Sequence, residues 1–316
     1  VGLIISSYMT VHPQGRQNID QIGAHDDAHL DGLRMLADAV HQNGNRIVAQ
    51  IVHCGGQSQS RAQGGLAPLA PSAVKSAGYS GIPEALTTEQ IDEVVQSFGQ
   101  AARRVKEAGY DGVQLHGAHG YLLAQFLSPL RNQRNDQYGG SLENRARFAL
   151  EVFREVRANV GPEFPIMIKL NVNDFMEGST TEDDSTYLAR ALAEAGIDAI
   201  EVSSGTPGSG RLGPARAKVA TTDDEAYFLP QARTMARAVP DTPLILVGGI
   251  RTLAVMEHIL AEGVVDYFAM SRPLIREPDL PLRLQQGKQD TATCISCLGC
   301  FGPAMRGLGV KCVDVV

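Results

Sequence analysis

A short stretch of the sequence places two histidines and a tyrosine close together. His116 ends the apolar run YDGVQLH, and His119 and Tyr121 lie in the loop GAHGYLLAQFLSP that follows. An imidazole N–H can hold and polarise a carbonyl oxygen, and a phenol can deliver a proton. We therefore predict that the three residues form a catalytic group, with loop capping and packing as the alternative. A zinc site is less favoured, because the sequence nearby offers no obvious third and fourth ligand.

Two further polar side chains stand inside apolar runs. Gln50 lies within RIVAQIVH, and Lys169 lies within PIMIKLN. A buried amide needs a hydrogen-bond partner, and a buried ammonium group is costly unless an anionic or electron-rich group lies beside it. Together they predict a polar ligand at the end of the fold where the strands end, with a purely structural network as the alternative.

A phosphate site is predicted late in the chain. Gly248 and Gly249 follow the run LILV, while Ser271 and Arg272 follow the next strand-like run, YFAM. In an α/β barrel, a phosphate site is frequently formed by the loops after the last two strands. The pairing of Gly-Gly with Ser-Arg therefore indicates an anion-binding site rather than only a tight turn.

Four of the five cysteines, Cys294, Cys297, Cys300 and Cys312, lie within the last 23 residues, whereas Cys54 stands alone. Their spacing is C-x2-C-x2-C-x11-C. Clustered C-x-x-C spacing indicates metal or redox chemistry rather than a disulfide framework, and it favours a cytoplasmic protein. Four thiolates suit an iron–sulfur cluster or structural zinc, and unligated thiols are the third interpretation.

These residues are positioned by a repeated pattern of strands and helices. Short, mostly apolar runs predict strands at Val1–Ser6, Arg46–His53, Tyr110–His116, Pro165–Asn171, Ile197–Ser203, Pro243–Val247 and Val264–Met270. Amphipathic segments predict helices at Asp26–Gln42, Ser141–Asn159, Thr181–Ala195, Asp224–Ala238 and Thr252–Ala261. The clearest helix has Thr87 and Gln90 as its N-terminal cap and ends at Gly109.

Seven predicted strands are one short of a closed barrel of eight. The chain lacks an initiator Met and begins directly on a strand-like run. We therefore predict an α/β fold, a (β/α)8 TIM barrel without its N-terminal first strand. A doubly wound open sheet is the alternative, although no strand is followed by G-x-G-x-x-G. A barrel places functional groups at the C-terminal ends of its strands, where the residues named above occur.

Composition excludes several classes of protein. The chain has 316 residues, of which 43% are hydrophobic and 20% charged, so it is long enough for a substantial core. Its net charge of -7 argues against nucleic-acid and anionic-membrane partners. No apolar run approaches the ~18 residues of a membrane span, and the N-terminus lacks a secretory signal. A homo-oligomer is compatible with this composition.

The longest motif resembles a known family. The run HGAHGYLLAQFLSPLRNQRNDQYGGSLENRARF, with AQIVH before it and VGGI and SRPLI after it, resembles the Old Yellow Enzyme family, and the similarity extends from Val1 to about Pro278. The resemblance implies an FMN-containing barrel that takes hydride from NAD(P)H and reduces the activated C=C bond of an α,β-unsaturated carbonyl or related compound. Alkene and nicotinamide would use one pocket in turn, which accounts for the absent dinucleotide motif.

The resemblance also implies roles for single residues. His116 and His119 would bind the electron-withdrawing oxygen of the substrate, and Tyr121 would stand at the position of the proton donor. Gln50 would contact the flavin pyrimidine edge, and Lys169 would lie on its N1/O2 side. The FMN phosphate would be held by Gly248, Gly249, Ser271 and Arg272.

The sequence departs from the family at both ends. Relatives have a preceding strand that supplies flavin contacts. Relatives resembling 2,4-dienoyl-CoA reductase bind a 4Fe–4S cluster with C-x2-C-x3-C spacing, one residue longer than here, and carry a further flavin and nucleotide domain. We predict an FMN-binding barrel at residues 1–280 and a Cys-containing C-terminal tail at 281–316.

Three other functions remain open at this point. One is an iron–sulfur flavoprotein that reduces an unsaturated acyl-CoA. The others belong to different classes: a flavin-free, phosphate-binding barrel such as an aldolase or isomerase, and an inactive binding scaffold. All but the last take a small-molecule substrate.

Overall fold

The strands of the main sheet pair in the order in which they occur along the chain. A computed structural model describes residues 2–59 and 64–314. The strands are β1 Leu3–Ile5, β2 Met9–Thr10, β3 Arg46–Val52, β4 Leu69–Ala70, β5 Glu84–Ala85, β6 Gly112–Gly117, β7 Ile166–Asn171, β8 Ala199–Ser203, β9 Leu244–Val247 and β10 Tyr267–Ala269. The main sheet is parallel and has the order β1-β3-β6-β7-β8-β9-β10, with β2 beside β3. Strands β4 and β5 form a separate pair.

Helices connect the successive strands, as parallel pairing requires. Their bounds are α1 Leu30–His41, α2 Thr88–Glu107, α3 Leu122–Leu127, α4 Leu142–Val160, α5 Glu182–Glu194, α6 Leu229–Ala238, α7 Leu253–Ala261, α8 Arg272–Arg276, α9 Leu280–Gln285 and α10 Phe301–Met305. The predicted strands and long helices are confirmed, although Val1 lies outside the described residues. The short helices α3, α8, α9 and α10 were not predicted, because so few turns carry no clear hydrophobic period.

One predicted helix boundary was wrong. The helix expected from Asp224 begins instead at Leu229, after a short 3-10 turn at Thr222–Asp224. Pro230 lies in the first turn of α6. Proline lacks an N–H group and is tolerated only in the first turn of a helix, so the helix cannot extend further towards the N-terminus.

The sheet curls, and this confirms the predicted barrel architecture. Ile5 on the first strand and Ala269 on the last strand pack against the same small cluster, formed by Val48, Met167, Ala199 and Ile245. A flat sheet of this order would hold its first and last strands far apart. The strand order never reverses, which excludes the doubly wound alternative. Within the described residues, β1 and β10 are edges that do not pair with each other.

The inside of the curled sheet is built in layers, because alternate residues of a strand face the same side. The lowest layer is the apolar cluster just described. Two residues further along β3, β7 and β8, and beside Gln50 on β6, lies a polar layer consisting of Gln50, Gln114, Lys169 and Glu201. A third layer at the C-terminal ends contains His116, Asn171 and Ser203. The sequence therefore moves from apolar to polar to chemically active groups towards one end of the barrel.

In the described part of the chain, no helix combines the length and the apolar character that crossing a bilayer requires.

Helix α2 confirms the predicted capping signal. The Thr87 hydroxyl accepts a hydrogen bond from the Gln90 amide at 3.2 Å, and the Gln90 side chain accepts one from the Thr87 amide at 2.9 Å. Gly109 follows the last turn with a φ of 90°, a conformation that favours glycine. Both ends of this helix are therefore determined locally, while its buried face packs on α4 and on the sheet.

We expect Thr87→Ala to lower the free energy of unfolding by about 1 kcal/mol, because it removes the hydroxyl that caps α2. Thr88→Ala, one residue later, is the matched control and should change stability by less than about 0.5 kcal/mol. Urea unfolding of the two variants checks this. Equal losses would show that the capping box contributes nothing specific.

Candidate functional site

The loop after β6 brings the two histidines and the tyrosine together. The ring centroids of His116 and His119 lie 5.1 Å apart, and those of His116 and Tyr121 lie 4.8 Å apart. His119 has a φ of 60°, an unusual conformation for a residue other than glycine. Its amide donates to Asn171 Oδ1 at 3.1 Å, and its Nε2 lies 2.8 Å from Ser203 Oγ. Two neighbouring strands therefore fix the position of His119.

Two glutamine side chains hold the loop from outside. Gln57 Nε2 donates to the carbonyl oxygens of His119, at 2.9 Å, and Gly120, at 2.7 Å. Gln125 Nε2 also donates to the Gly120 carbonyl, at 2.6 Å. Neither glutamine was predicted: from the sequence both lie in loop-like stretches, although Gln125 belongs to the short helix α3. Their hydrogen bonds make the loop a fixed platform for the three catalytic candidates.

Burial determines the charge state of this group. Desolvation, followed by the nearby Lys169 charge, lowers the pKa of His116 to about 3. Desolvation, His116 and Lys169 together hold the pKa of His119 well below its usual value. Both imidazoles are therefore neutral at physiological pH. Because His116 Nδ1 accepts from the Ala118 amide at 3.3 Å, its proton resides on Nε2, which can donate to a ligand.

Tyr121 keeps its proton for the same reason. Desolvation, with contributions from Cys54 and Tyr8, raises its pKa well above the ordinary value. A buried, fully protonated phenol beside two neutral imidazoles is a group of hydrogen-bond and proton donors. The arrangement suits an oxygen-bearing substrate that is protonated during reaction.

Tyr8 is a neighbour of this group that sequence reasoning missed. Its ring lies 5.6 Å from that of Tyr121 and 6.1 Å from that of His116. Its hydroxyl donates to Gln17 Oε1, and burial raises its pKa to about 12. Its position in the sequence could have identified it, because Tyr8 lies two residues beyond the first predicted strand, at the barrel end where functional groups are expected.

The side chains of the polar layer, below the histidines, are joined by a continuous series of hydrogen bonds across four strands. Lys169 Nζ lies 2.5 Å from Glu201 Oε1. Gln114 Nε2 donates to Glu201 Oε2 at 2.9 Å, and Gln50 Nε2 donates to Gln114 Oε1 at 2.7 Å. Gln50 and Lys169 were identified from the sequence, whereas the two residues that join them were not. The same signal, a polar residue inside an apolar strand, was available for Gln114 and Glu201.

The predicted phosphate residues lie on two adjacent strand ends. Gly248 and Gly249, with φ of 114° and 76°, follow β9, and Ser271 and Arg272 follow β10, which pairs with β9. A Cβ atom on either glycine would lie 2.8–2.9 Å from the ring of Tyr227. Glycine is therefore required at both positions.

A second arginine, which was not predicted, lies beside this pair. The Arg216 guanidinium lies 4.6 Å from the Tyr227 ring centroid, and Arg272 Nη1 donates to the Arg216 carbonyl at 2.8 Å. Arg216 Nε is buried and has no hydrogen-bond partner among the described residues. A buried donor without a partner next to a second arginine fits an anionic group such as a phosphate.

These two regions together fit FMN. The polar layer offers a cation and amide groups for a ring rich in nitrogen and oxygen. The ends of β9 and β10 offer glycine backbone and arginines for its phosphate. The glycines and arginines follow the C-terminal ends of their strands, and the polar layer lies one layer below that end, which is where ligands of this architecture bind.

The four C-terminal cysteines line one cavity, together with Arg272 and Ile275. Arg276 Nη1 lies 3.6 Å from Cys312 Sγ. The described residues nevertheless contain no group of three or more His, Cys, Asp or Glu side chains arranged to hold a metal ion. The thiols converge on one place, but as placed they do not form a ligand set. Cys54 does not line this cavity and packs with Tyr8 and Tyr121.

Comparison with known proteins gives consistent matches. The model of the NADH:flavin oxidoreductase / NADH oxidase family matches residues 1–291. The chain is 39% identical to an NADH oxidase of Thermoanaerobacter brockii over 318 residues, which cover 99% of this chain and 48% of that protein.

Two solved structures resemble it. A 2-naphthoyl-CoA reductase in complex with 2-naphthoyl-CoA has a TM-score of 0.89 and 31% identity, covering 98% of this chain and 48% of that one. A morphinone reductase variant in complex with tetrahydroNAD has a TM-score of 0.78 and 32% identity, and the match covers 92% of this chain and 79% of that one. The chain thus spans about half the length of the NADH oxidase and of the 2-naphthoyl-CoA reductase.

The neutral state of His116 has a measurable consequence for stability. Its pKa in the folded protein lies below the ordinary value of 6.5, so the unfolded chain binds the proton first as the pH falls. Between pH 6.5 and 4 the wild type should therefore lose up to about 1.4 kcal/mol per pH unit from this residue. We expect the stability difference between wild type and His116→Asn to narrow over this range in chemical unfolding experiments. Parallel stability curves for the two proteins would contradict a neutral, buried His116.

Proposed function

The chain belongs to the NADH:flavin oxidoreductase / NADH oxidase family, and from this we propose that it uses FMN and NAD(P)H to reduce the activated C=C bond of an α,β-unsaturated carbonyl compound. The observation that carries the proposal is the group formed by His116, His119 and Tyr121. Two neutral imidazoles and a protonated phenol, fixed by two strands, are arranged for a substrate that needs both an oxygen contact and a proton.

FMN, when bound, would supply the redox chemistry that carries a hydride from the nicotinamide to the alkene. Lys169 and Gln50 would hold its ring on the pyrimidine side. Its phosphate would be held by Gly248, Gly249, Ser271 and Arg272, with Arg216 as a further cation.

The side chains above this layer prepare the substrate. His116 Nε2–H and the His119 ring would hold the carbonyl oxygen and withdraw electron density from the conjugated C=C bond, which makes its far carbon a better hydride acceptor. Tyr121 would give its hydroxyl proton to the carbon next to the carbonyl. Because the imidazoles are neutral, they bind the oxygen without competing with Tyr121 as acids.

The partner of this site is a small molecule. We further propose a cytoplasmic enzyme, which the five free cysteines support, since thiols of the described chain form no disulfide. A homo-oligomer is compatible with the apolar side chains on the surface, such as Met35 and Leu260.

A second candidate is an iron–sulfur flavoprotein that reduces an unsaturated acyl-CoA. Two observations favour it: the four cysteines line a single cavity, and the likeness to a 2-naphthoyl-CoA reductase covers 98% of the chain. The thiols would need to move to form a ligand set for a 4Fe–4S cluster or for zinc. No step of the proposed reaction depends on such a group.

Tyr121→Phe separates the two halves of the proposed reaction. Stopped-flow measurements on the FMN-reconstituted protein should show nearly unchanged reduction by NAD(P)H, while the reaction with an enone slows by the ~10²–10⁴-fold typical of lost acid catalysis. Tyr138→Phe is the matched control, because Tyr138 is a buried phenol that contacts Glu151 instead. Equal slowing of both halves by Tyr121→Phe would remove Tyr121 from the donor role.

Iron and acid-labile sulfide analysis of anaerobically purified protein tests the second candidate. About four iron and four sulfide per chain would establish a cluster, and a Cys297→Ser variant should then lose both. Stoichiometric zinc without sulfide would indicate a structural metal site. Absence of all three would leave the cysteines as free thiols and exclude the iron–sulfur candidate.

A further inference from the structure

Glu201 supplies the carboxylate of the polar layer. Its side chain is 3% exposed, and one of its oxygens pairs with Lys169 at 2.5 Å. The other oxygen accepts from Gln114 at 2.9 Å. The register of β7 and β8 places Lys169 directly beside Glu201. Both oxygens of the carboxylate are therefore used within the polar layer, and among the described residues its ion-pair partner is the Lys169 ammonium group.

The carboxylate also determines the direction of the amide chain. A carboxylate can only accept hydrogen bonds, so Gln114 must turn its NH2 group towards Glu201. The carbonyl oxygen of Gln114 then faces Gln50. Gln50 must therefore donate from its own NH2 group, and its Nε2 lies 2.7 Å from Gln114 Oε1. This series of side-chain hydrogen bonds consequently ends on the carbonyl oxygen of Gln50, a hydrogen-bond acceptor. With an amide in place of Glu201, the same chain could run in either direction.

We infer that Glu201 is a positioning residue for FMN that sets the preference of the site between the oxidised and reduced forms of the cofactor. This rests on the proposed function, in which Lys169 and Gln50 face the flavin ring. Glu201 opposes part of the charge that Lys169 would otherwise present. It also keeps the Gln50 oxygen available to the ring N–H that is flanked by two carbonyl groups.

The consequence follows from charge alone. Two-electron reduction adds two electrons and one proton to FMN, so the ring gains a net negative charge on its pyrimidine side. A cation opposed by a carboxylate stabilises that charge less than an unopposed cation does. Removal of the Glu201 charge should therefore strengthen the binding of reduced FMN relative to oxidised FMN.

The experiment measures the dissociation constants of oxidised and reduced FMN and the two-electron reduction potential for wild type and Glu201→Gln. We expect the ratio of the two constants to shift at least tenfold towards reduced FMN, which corresponds to a potential about 30 mV more positive. Because an unpaired buried Lys169 could release its proton, the comparison is repeated in the Lys169→Arg background. A guanidinium group stays charged in proteins, so this background is decisive.

Three further variants separate charge from packing. Glu201→Asp keeps the charge and should stay within threefold of the wild-type ratio. Gln114→Leu interrupts the amide chain but keeps the ion pair, so it should weaken both forms of FMN and leave their ratio within threefold. Asp184→Asn removes a buried carboxylate that pairs with Arg145 at 2.8 Å, outside the site, and should not change the ratio.

The outcomes are distinct. The inference would be overturned if Glu201→Gln in the Lys169→Arg background kept the ratio of the two FMN dissociation constants within threefold of that of Lys169→Arg alone. It would also be overturned if Asp184→Asn shifted this ratio as much as Glu201→Gln does. Wild-type protein that binds neither form of FMN would instead overturn the proposed function itself.

Discussion

The ion pair between the partly buried Lys169 and the buried Glu201 is the interaction on which the site depends. An ammonium group inside a barrel is strongly unfavourable unless an anion satisfies it, and the loss of either partner leaves the other charge uncompensated. The two residues meet because β7 and β8 are parallel neighbours in the register that sets them side by side. Gln114 and Gln50 then extend the pair across two more strands. Sheet register, rather than loop conformation, therefore fixes where a polar ligand meets this protein.

The catalytic candidates one layer higher depend on the same strands. Asn171 and Ser203 lie two residues beyond the ion pair on β7 and β8, and both hold His119. The positive charge of Lys169 adds to burial in keeping both histidines neutral. In the proposed function, the cation beside the flavin and the neutral donors for the substrate would both follow from this one arrangement. The same end of the barrel could then hold the flavin and activate the substrate while both imidazoles stay unprotonated.

Much of this could be predicted from the sequence, because some signals are local. A capping box, an apolar strand run or a polar residue inside such a run each has a physical cause within a few residues. Gln50 and Lys169 were identified in this way. Tyr8 was not, because its contact with Tyr121 arises only when the sheet curls. The glycine pair was identified from the sequence, but the packing reason for it needed the structure, because Tyr227, whose ring leaves no room for a side chain there, lies about twenty residues earlier.

Anaerobic titration of the FMN-reconstituted protein tests the proposed activity most directly. The absorbance of oxidised flavin should bleach on addition of NADH or NADPH and return when an enone such as 2-cyclohexenone is added. One C=C bond should be reduced for each flavin reoxidised. A protein that retains no flavin after reconstitution, or whose bleached flavin does not recover with the enone under exclusion of oxygen, would contradict an FMN-dependent alkene reductase.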